Sequence, residues 1–263
     1  MAKRLGSHAQ RLRSLRALRS AKGRREQQRF AFEGATLLDE AVSSGFPLGE
    51  LYATQSAYDS TPIVRELDAA GTPTFILPDG AVTTVSDLKT ASGIVATAPT
   101  RLRRVEELFG HRDPLLILAD LNDPANVGTL LRSAEAFGCG GVVFGRLGVD
   151  PYHPKVVRGS MGGIFRLAVS VADPKAVGAA ALCAATRIVG LAAGGSPLTD
   201  ERWATPIAVV VGHERSGLGR WESLCERLLA IPMPGRAESL SAAIAGSIAL
   251  YEASGRGARG FVK

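Results

Sequence analysis

Cysteine is scarce in this chain: three in 263 residues, Cys139, Cys183 and Cys225, far apart and without a Cys-x-x-Cys pair. That spacing argues against both a disulfide framework and a structural zinc site. The four histidines are equally scattered, so no metal is expected. No apolar run approaches the roughly 18 residues that a membrane span requires. The charged N-terminus has no apolar signal-peptide core behind it, and a cytoplasmic protein with no membrane partner is expected. An Arg-rich, acid-poor start is also the texture of an organellar transit peptide, which is the minor alternative.

What is present is a hydrophobic fraction of 46%, sufficient for one large or two modest cores. The net charge of +6 is unevenly placed. Residues 1–29 hold ten basic groups, among them Arg11, Arg13, Arg16, Arg24, Arg25 and Arg29, against the single acid Glu26; the remainder is slightly acidic. A cationic N-terminal arm suits a polyanion, because each neutralised phosphate releases condensed counterions. Leu12, Leu15 and Leu18 recur at helical spacing, so the same stretch also reads as an amphipathic helix. The two readings are compatible, and RNA is the favoured partner.

Residues 30–99 read as a small α/β domain. "FAFEGATLLDEAVSSG" is a strand and helix, "LGELYATQSA" and "TPTFILP" are strands, and "GIVATAP" is another. "STPIVRELDAAG" is a helix with Ser60 as N-cap, and "AVTTVSDLKTA" becomes helical towards its end. Residues 100–113 read as a linker. From 114 to 263, six short apolar segments alternate with helices: "LLILADL", "GGVVFG", "RLAVSV", "RIVGLAA", "PIAVVVG" and "LLAIPM". This alternation implies a mostly parallel sheet covered on both faces. In the last helix, Leu240, Ile244, Ile248 and Tyr251 are spaced to form one apolar face.

Ligands in open α/β sheets bind beyond the carboxyl ends of the strands, and three strand ends here carry unusual loops. "LADLNDPANVGTLLRSAEAFG" turns tightly into a helix, with Asn126 as a candidate N-cap and Arg132, expected buried, two turns inside. "VVVGHERSGL" ends a buried strand at Gly212 and places Glu214 before a glycine turn at Gly217. "IPMPGRAESLS" is a loop stiffened by two prolines, with Ser239 read as the cap of the following helix. Its exposed backbone groups suit reading a purine edge.

In order and spacing, "DPANVGTLLRSAEAFG", "GHERSGL" and "IPMPGRAESLS" resemble the signature motifs of the SpoU (TrmH-like) RNA ribose 2′-O-methyltransferases of the SPOUT superfamily. "RFAFEGATLLDEAVSSG" is more loosely similar to the ribosomal-protein-like RNA-binding domain of rRNA-directed members. The resemblance implies a C-terminal α/β knot, a deep trefoil, preceded by that small RNA-binding domain. It also implies S-adenosylmethionine as cofactor, a homodimer, and methylation of a ribose in RNA, 23S rRNA ahead of tRNA. Arg132, Asn126, Glu214 and Ser239 would be the catalytic set. Val211, Gly212, Gly217, Ile231, Met233 and Leu240 would hold the cofactor. Arg158 would join the N-terminal arginines in binding RNA. A guanidinium is effectively always protonated, so Arg132 is better suited to holding a phosphate and steadying charge on the 2′-oxygen than to acting as a base. Glu214 would pair with an arginine or fix the second loop, or serve simply as an acid at a helix N-terminus.

One departure stands out: the family's Ser-Leu-Asn is Ser239-Leu240-Ser241 here. It is the sole support for a rival reading, a non-catalytic rRNA-binding assembly factor on the same fold. A second rival, a nicotinamide-binding Rossmann enzyme, would have to use "GCGG" at residues 138–141. That stretch follows a helix and precedes a strand, the wrong order for the fingerprint.

Overall fold

The structure, a computed structural model, describes residues 2–6, 10–86 and 92–255. It divides into two compact units. The first takes residues 1–101 together with 152–166, and the second takes 102–151 and 167–263.

The first unit is built on a five-stranded mixed sheet of β1 (Lys3–Arg4), β2 (Arg29–Glu33), β3 (Leu51–Thr54), β4 (Thr74–Leu77) and β5 (Ile94–Pro99), in the order β1-β4-β3-β5-β2. The stretch read as an arm is folded into it. Helices Gln10–Ala17 and Ala21–Gln27 place Leu12, Leu15 and Leu18 at 2% exposure or less against Tyr52, Phe75, Leu77 and Val95. The helical reading of the leucines therefore wins locally, because three buried leucines contribute roughly 1.5–3 kcal/mol each. Ser20 caps the second of these helices by accepting from Gly23 N.

The helix in "STPIVRELDAAG" begins one residue later than expected, and the end of "LGELYATQSA", read as strand, is helical. Ser60 ends the short helix Gln55–Ser60, and Thr61 precedes the next, Pro62–Ala69. The helix in "AVTTVSDLKTA" runs from Asp79 to Val85; the end of that stretch, 87–91, lies outside the described residues.

Residues 152–166 return to this first unit, which periodicity does not reveal. Tyr152 stacks on Phe30 at 4.5 Å between ring centroids, and Phe165 packs against Phe32 at 5.1 Å and Phe46 at 5.2 Å. The Tyr152 hydroxyl donates to the Arg101 carbonyl at 3.0 Å.

The second unit has a six-stranded sheet in which every pairing is parallel. Its strands are β6 (Leu115–Leu118), β7 (Gly141–Gly145), β8 (Val169–Ala172), β9 (Arg187–Pro197), β10 (Ile207–Val211) and β11 (Arg227–Ala230), ordered β11-β9-β10-β6-β7-β8. All six expected strands are present. β6, β7 and β10 are buried along their whole length, which is why they read as unbroken apolar runs. The segment read as a linker is not one throughout. Val105, Leu108 and Phe109 are buried in this unit's core with Leu115, Ile117, Val143 and Trp221.

The expected apolar face of the last helix, Ala242–Ala253, is reversed. The buried residues are the small ones, Ala242, Ala243, Gly246, Ala249 and Ala253, with Leu250, whereas Ile244 is 52% and Ile248 36% exposed. A Cβ on Gly246 would lie 2.5 Å from Leu130 Cδ2 and 3.0 Å from Val211 Cγ2. The helix thus approaches β10 and the Pro124–Ala136 helix too closely for larger side chains. Ser133 and Ser247 hydroxyls meet across that helix pair at 2.7 Å.

Candidate active site

Segments of β9 and the loops after β10 and β11, at the carboxyl end of the second sheet, line one cleft, with about 760 Å³ of space including its open mouth. Val211, Gly212, Gly217, Ile231, Met233 and Leu240 all line it, as do Glu214 and Ser239. Leu191, Leu229, Ile231 and Leu240 supply much of its apolar lining, and Glu214 and Glu238 also line it.

The glycine loop has a steric logic. His213 N donates to the Gly217 carbonyl at 3.0 Å, and Gly217 N donates back to the His213 carbonyl at 2.8 Å. A Cβ on Gly212 would sit 2.3 Å from that same Gly217 oxygen, and Gly217 itself has φ +63°. Only glycine serves at either place without strain. His213 also lines the cleft, and its Nδ1 accepts from Arg215 N at 3.2 Å.

Glu214 joins the three loops. Its Oε1 accepts from Ala242 N at 3.0 Å and from Asn126 Nδ2 at 2.7 Å. The partner is thus an asparagine and a helix N-terminus, not an arginine. The bond from Ala242 N, together with that from Asn126, outweighs the opposing effect of burial and holds the carboxyl below the usual glutamate range.

Two cap assignments move. Asp123, not Asn126, caps the Pro124–Ala136 helix by accepting from Ala125 N at 2.9 Å, which frees Asn126 to face Glu214. Ser241, not Ser239, caps the last helix, accepting from Ile244 N at 3.3 Å. Serine and asparagine are near-equal N-caps. The departure Ser-Leu-Ser therefore leaves this helix start intact.

Arg132 is exposed rather than buried. It does not line the cleft, and its guanidinium has no ion pair or hydrogen bond among the described residues. Of the arginines assigned to RNA, Arg13, Arg25 and Arg158 are exposed. Arg24 is a correction: at 2% exposure it donates to the Leu18 and Arg19 carbonyls, tying the two N-terminal helices together. Arg29 is largely committed too, donating to Gln27, Ser14 and Glu50. Arg11 pairs with Glu50 and Arg16 donates to Thr84, though both stay at the surface. Sequence reasoning missed the contribution of Leu191, Ala192 and Ala193. The end of a parallel strand next to β10 was the available signal. Among the described residues no cluster of His, Cys, Asp or Glu could hold a metal, and no helix is long and apolar enough to cross a membrane.

A parallel α/β unit whose strand-end loops line one cleft has the architecture of a ligand-binding domain. The SpoU rRNA Methylase family profile matches residues 113–251, and that of the MRM3-like substrate binding domain matches 9–96. The 23S rRNA (uridine(2479)-2′-O)-methyltransferase of Streptomyces viridochromogenes is 30% identical over 96% of this chain and 92% of its own. The 23S rRNA (guanosine(2553)-2′-O)-methyltransferase RlmP of Bacillus subtilis is 28% identical over 94% and 96%. The crystal structure of the SpoU methyltransferase AviRb from S. viridochromogenes in complex with AdoMet superposes with a TM-score of 0.86. The identity is 26%, and the match covers 97% of this chain and 100% of that one. The chain belongs to the SpoU methylase family: it is a methyltransferase, and its second unit has the α/β knot expected from the motifs.

Proposed function

We propose that this enzyme transfers a methyl group from S-adenosylmethionine to a ribose 2′-hydroxyl of 23S rRNA in the cytoplasm, working as a homodimer. The observation that carries the reading is the cleft in which all six cofactor-assigned residues meet. The cleft suits the cofactor: apolar Leu191, Leu229 and Ile231 fit a flat base, strand-end backbone offers hydrogen-bond partners, and the Glu214 and Glu238 carboxylates suit a cationic sulfonium centre. When bound, the cofactor supplies an already activated methyl group.

The protein's task is then alignment and charge control. Asn126, fixed by Glu214, keeps the Pro124–Ala136 helix in register with the cleft. Arg132, exposed on the same helix, holds an RNA phosphate outside the cleft and steadies negative charge developing on the 2′-oxygen. It takes no proton, which leaves through phosphate or water. The exposed arginines of the first unit, with Arg158, hold the RNA backbone. Exposed Ile244 and Ile248 favour a second copy packing on the last helix. Substituting both with aspartate is expected to give a monomer by light scattering, and an unchanged mass would remove that interface.

Ribose-methylation mapping of 23S rRNA and tRNA in a strain lacking the gene tests the function. One 23S site should lose its methyl group. Loss confined to tRNA, or no loss, would overturn the reading. In vitro, Arg132→Ala should abolish transfer while leaving cofactor affinity unchanged, and wild-type turnover would refute the role given to it.

A further inference from the structure

Asp120 lies two residues beyond β6, just before the first motif, and it occupies an unusual backbone position. Its φ is +52°, a left-handed conformation that costs an L-residue roughly 1–2 kcal/mol. Glycine would occupy this position without strain, so the aspartate is retained against a local cost, and its carboxylate shows what it gains.

Four donors converge on it. Oδ2 accepts from Arg220 Nε and from Trp221 Nε1, each at 2.8 Å. Oδ1 accepts from Leu147 N at 3.0 Å and Arg220 Nη2 at 3.2 Å. Trp221 is 1% exposed, so its indole N–H has no recourse to water. The neighbouring backbone is cut away to admit this arrangement. A Cβ on Gly145 would lie 2.3 Å from Asp120 Oδ1, and one on Gly148 would lie 2.8 Å from the Leu121 carbonyl. Val149 N then donates to that carbonyl at 2.8 Å.

Asp120 and its partners belong to three separate strand-end loops. Asp120 begins the loop after β6, Leu147 sits in the turn after β7, and Arg220 and Trp221 follow the glycine loop after β10. The carboxylate is therefore the point at which the Leu121–Asp123 loop is fastened to its neighbours, four residues before the start of the helix that carries Asn126 and Arg132. Strained residues held by their surroundings are concentrated where a geometry must be kept for function.

We propose that Asp120 is a positioning residue for methyl transfer: anchored by Arg220, Trp221 and Leu147, it sets the height and direction of the loop that delivers Asn126 and Arg132 to the reacting ribose. It touches neither cofactor nor RNA. The inference rests on the functional reading above for its consequence, but not for its geometry.

The test uses the full-length protein and two variants that act on opposite sides of the clasp. Asp120→Gly removes the carboxylate and relieves the backbone strain together, so the fold is retained; Arg220→Ala removes the partner. Each should lower the single-turnover methyl-transfer rate on 23S rRNA from the gene-deleted strain by roughly ten- to a hundredfold, as an ångström-scale misplacement does. S-adenosylmethionine affinity by calorimetry and RNA affinity by filter binding should stay within about twofold. The double variant should be no slower than the slower single one, because both remove one interaction. Hydrogen exchange at Leu121–Val127 should rise in both variants, and this readout needs no RNA substrate. Wild-type rates in Asp120→Gly, cofactor affinity falling in parallel with rate, or unchanged exchange at 121–127 would each overturn the proposal. If the wild-type protein leaves that RNA unmethylated, the functional reading fails, and the exchange data still decide the clasp.

Discussion

Replacing Gly212 with alanine adds one methyl group at the tightest point of the cleft. The new Cβ would lie 2.3 Å from the Gly217 oxygen, 2.6 Å from its carbon and 2.9 Å from Leu218 N. All three are backbone atoms, so no side-chain rotation relieves the contact. Restoring an ordinary separation moves the 213–217 turn by about an ångström, which breaks the reciprocal His213–Gly217 hydrogen bonds. Two such bonds contribute about 2 kcal/mol together. In a domain of this size that lowers Tm by roughly 4–8 °C by calorimetry. The same movement draws Glu214 away from Ala242 N and Asn126 and widens the cleft between Val211 and Leu240. Cofactor affinity, measured by titration calorimetry, should fall at least about tenfold, equivalent to 1.4 kcal/mol. An alanine variant that binds S-adenosylmethionine as wild type does would refute the steric argument and the assignment of this loop to the cofactor.

Glu214 supplies a pH dependence with a definite sign. Its carboxyl lies below the ordinary glutamate value in the folded protein, chiefly through the Ala242 N–H. Its stabilisation is therefore fully present above the unfolded value near pH 4.3 and is lost as pH falls through the lower folded value. The Tm difference between wild type and Glu214→Gln should be constant from about pH 6 to 8 and shrink below about pH 4.3; a difference independent of pH would contradict this. For the first unit, deleting residues 1–29 would remove buried Leu12, Leu15 and Leu18 and confound any RNA measurement. Arg13→Gln with Arg25→Gln avoids this, since both side chains are exposed. The pair should weaken RNA binding and reduce the slope of log affinity against log salt by roughly 1.4–1.8. An unchanged slope would show that neither contacts phosphate.

The second unit was legible because parallel strands buried on both faces leave continuous apolar runs. β6, β7 and β10 were found for that reason. The three motifs were legible because glycine and proline mark the backbone where it must turn. Misreadings arose wherever a side chain's surroundings are set by the fold and not by its spacing along the chain. Arg24 is indistinguishable from its neighbours until the Leu18 and Arg19 carbonyls appear beside it. The last helix misled because its periodic isoleucines form the exposed face, and the buried face consists of alanine and glycine, which hydrophobic spacing weighs lightly. Asp120 lay in plain view in "LADLNDP", but its four donors come from residues 147, 220 and 221.

The path of residues 152–166 bears on how such a protein can change over time. The chain passes between its two units three times, because a stretch lying between β7 and β8 folds with the first unit. The units are therefore not beads on a string that recombination could exchange at one junction. A shortened chain starting at residue 102 would keep Tyr152, Ile164 and Phe165 but lose Phe30, Phe32 and Phe46, the rings that bury the two aromatic ones. The orphaned apolar segment would be a site for aggregation. Substrate preference in this lineage is thus expected to drift by substitution within the first unit rather than by wholesale replacement of it.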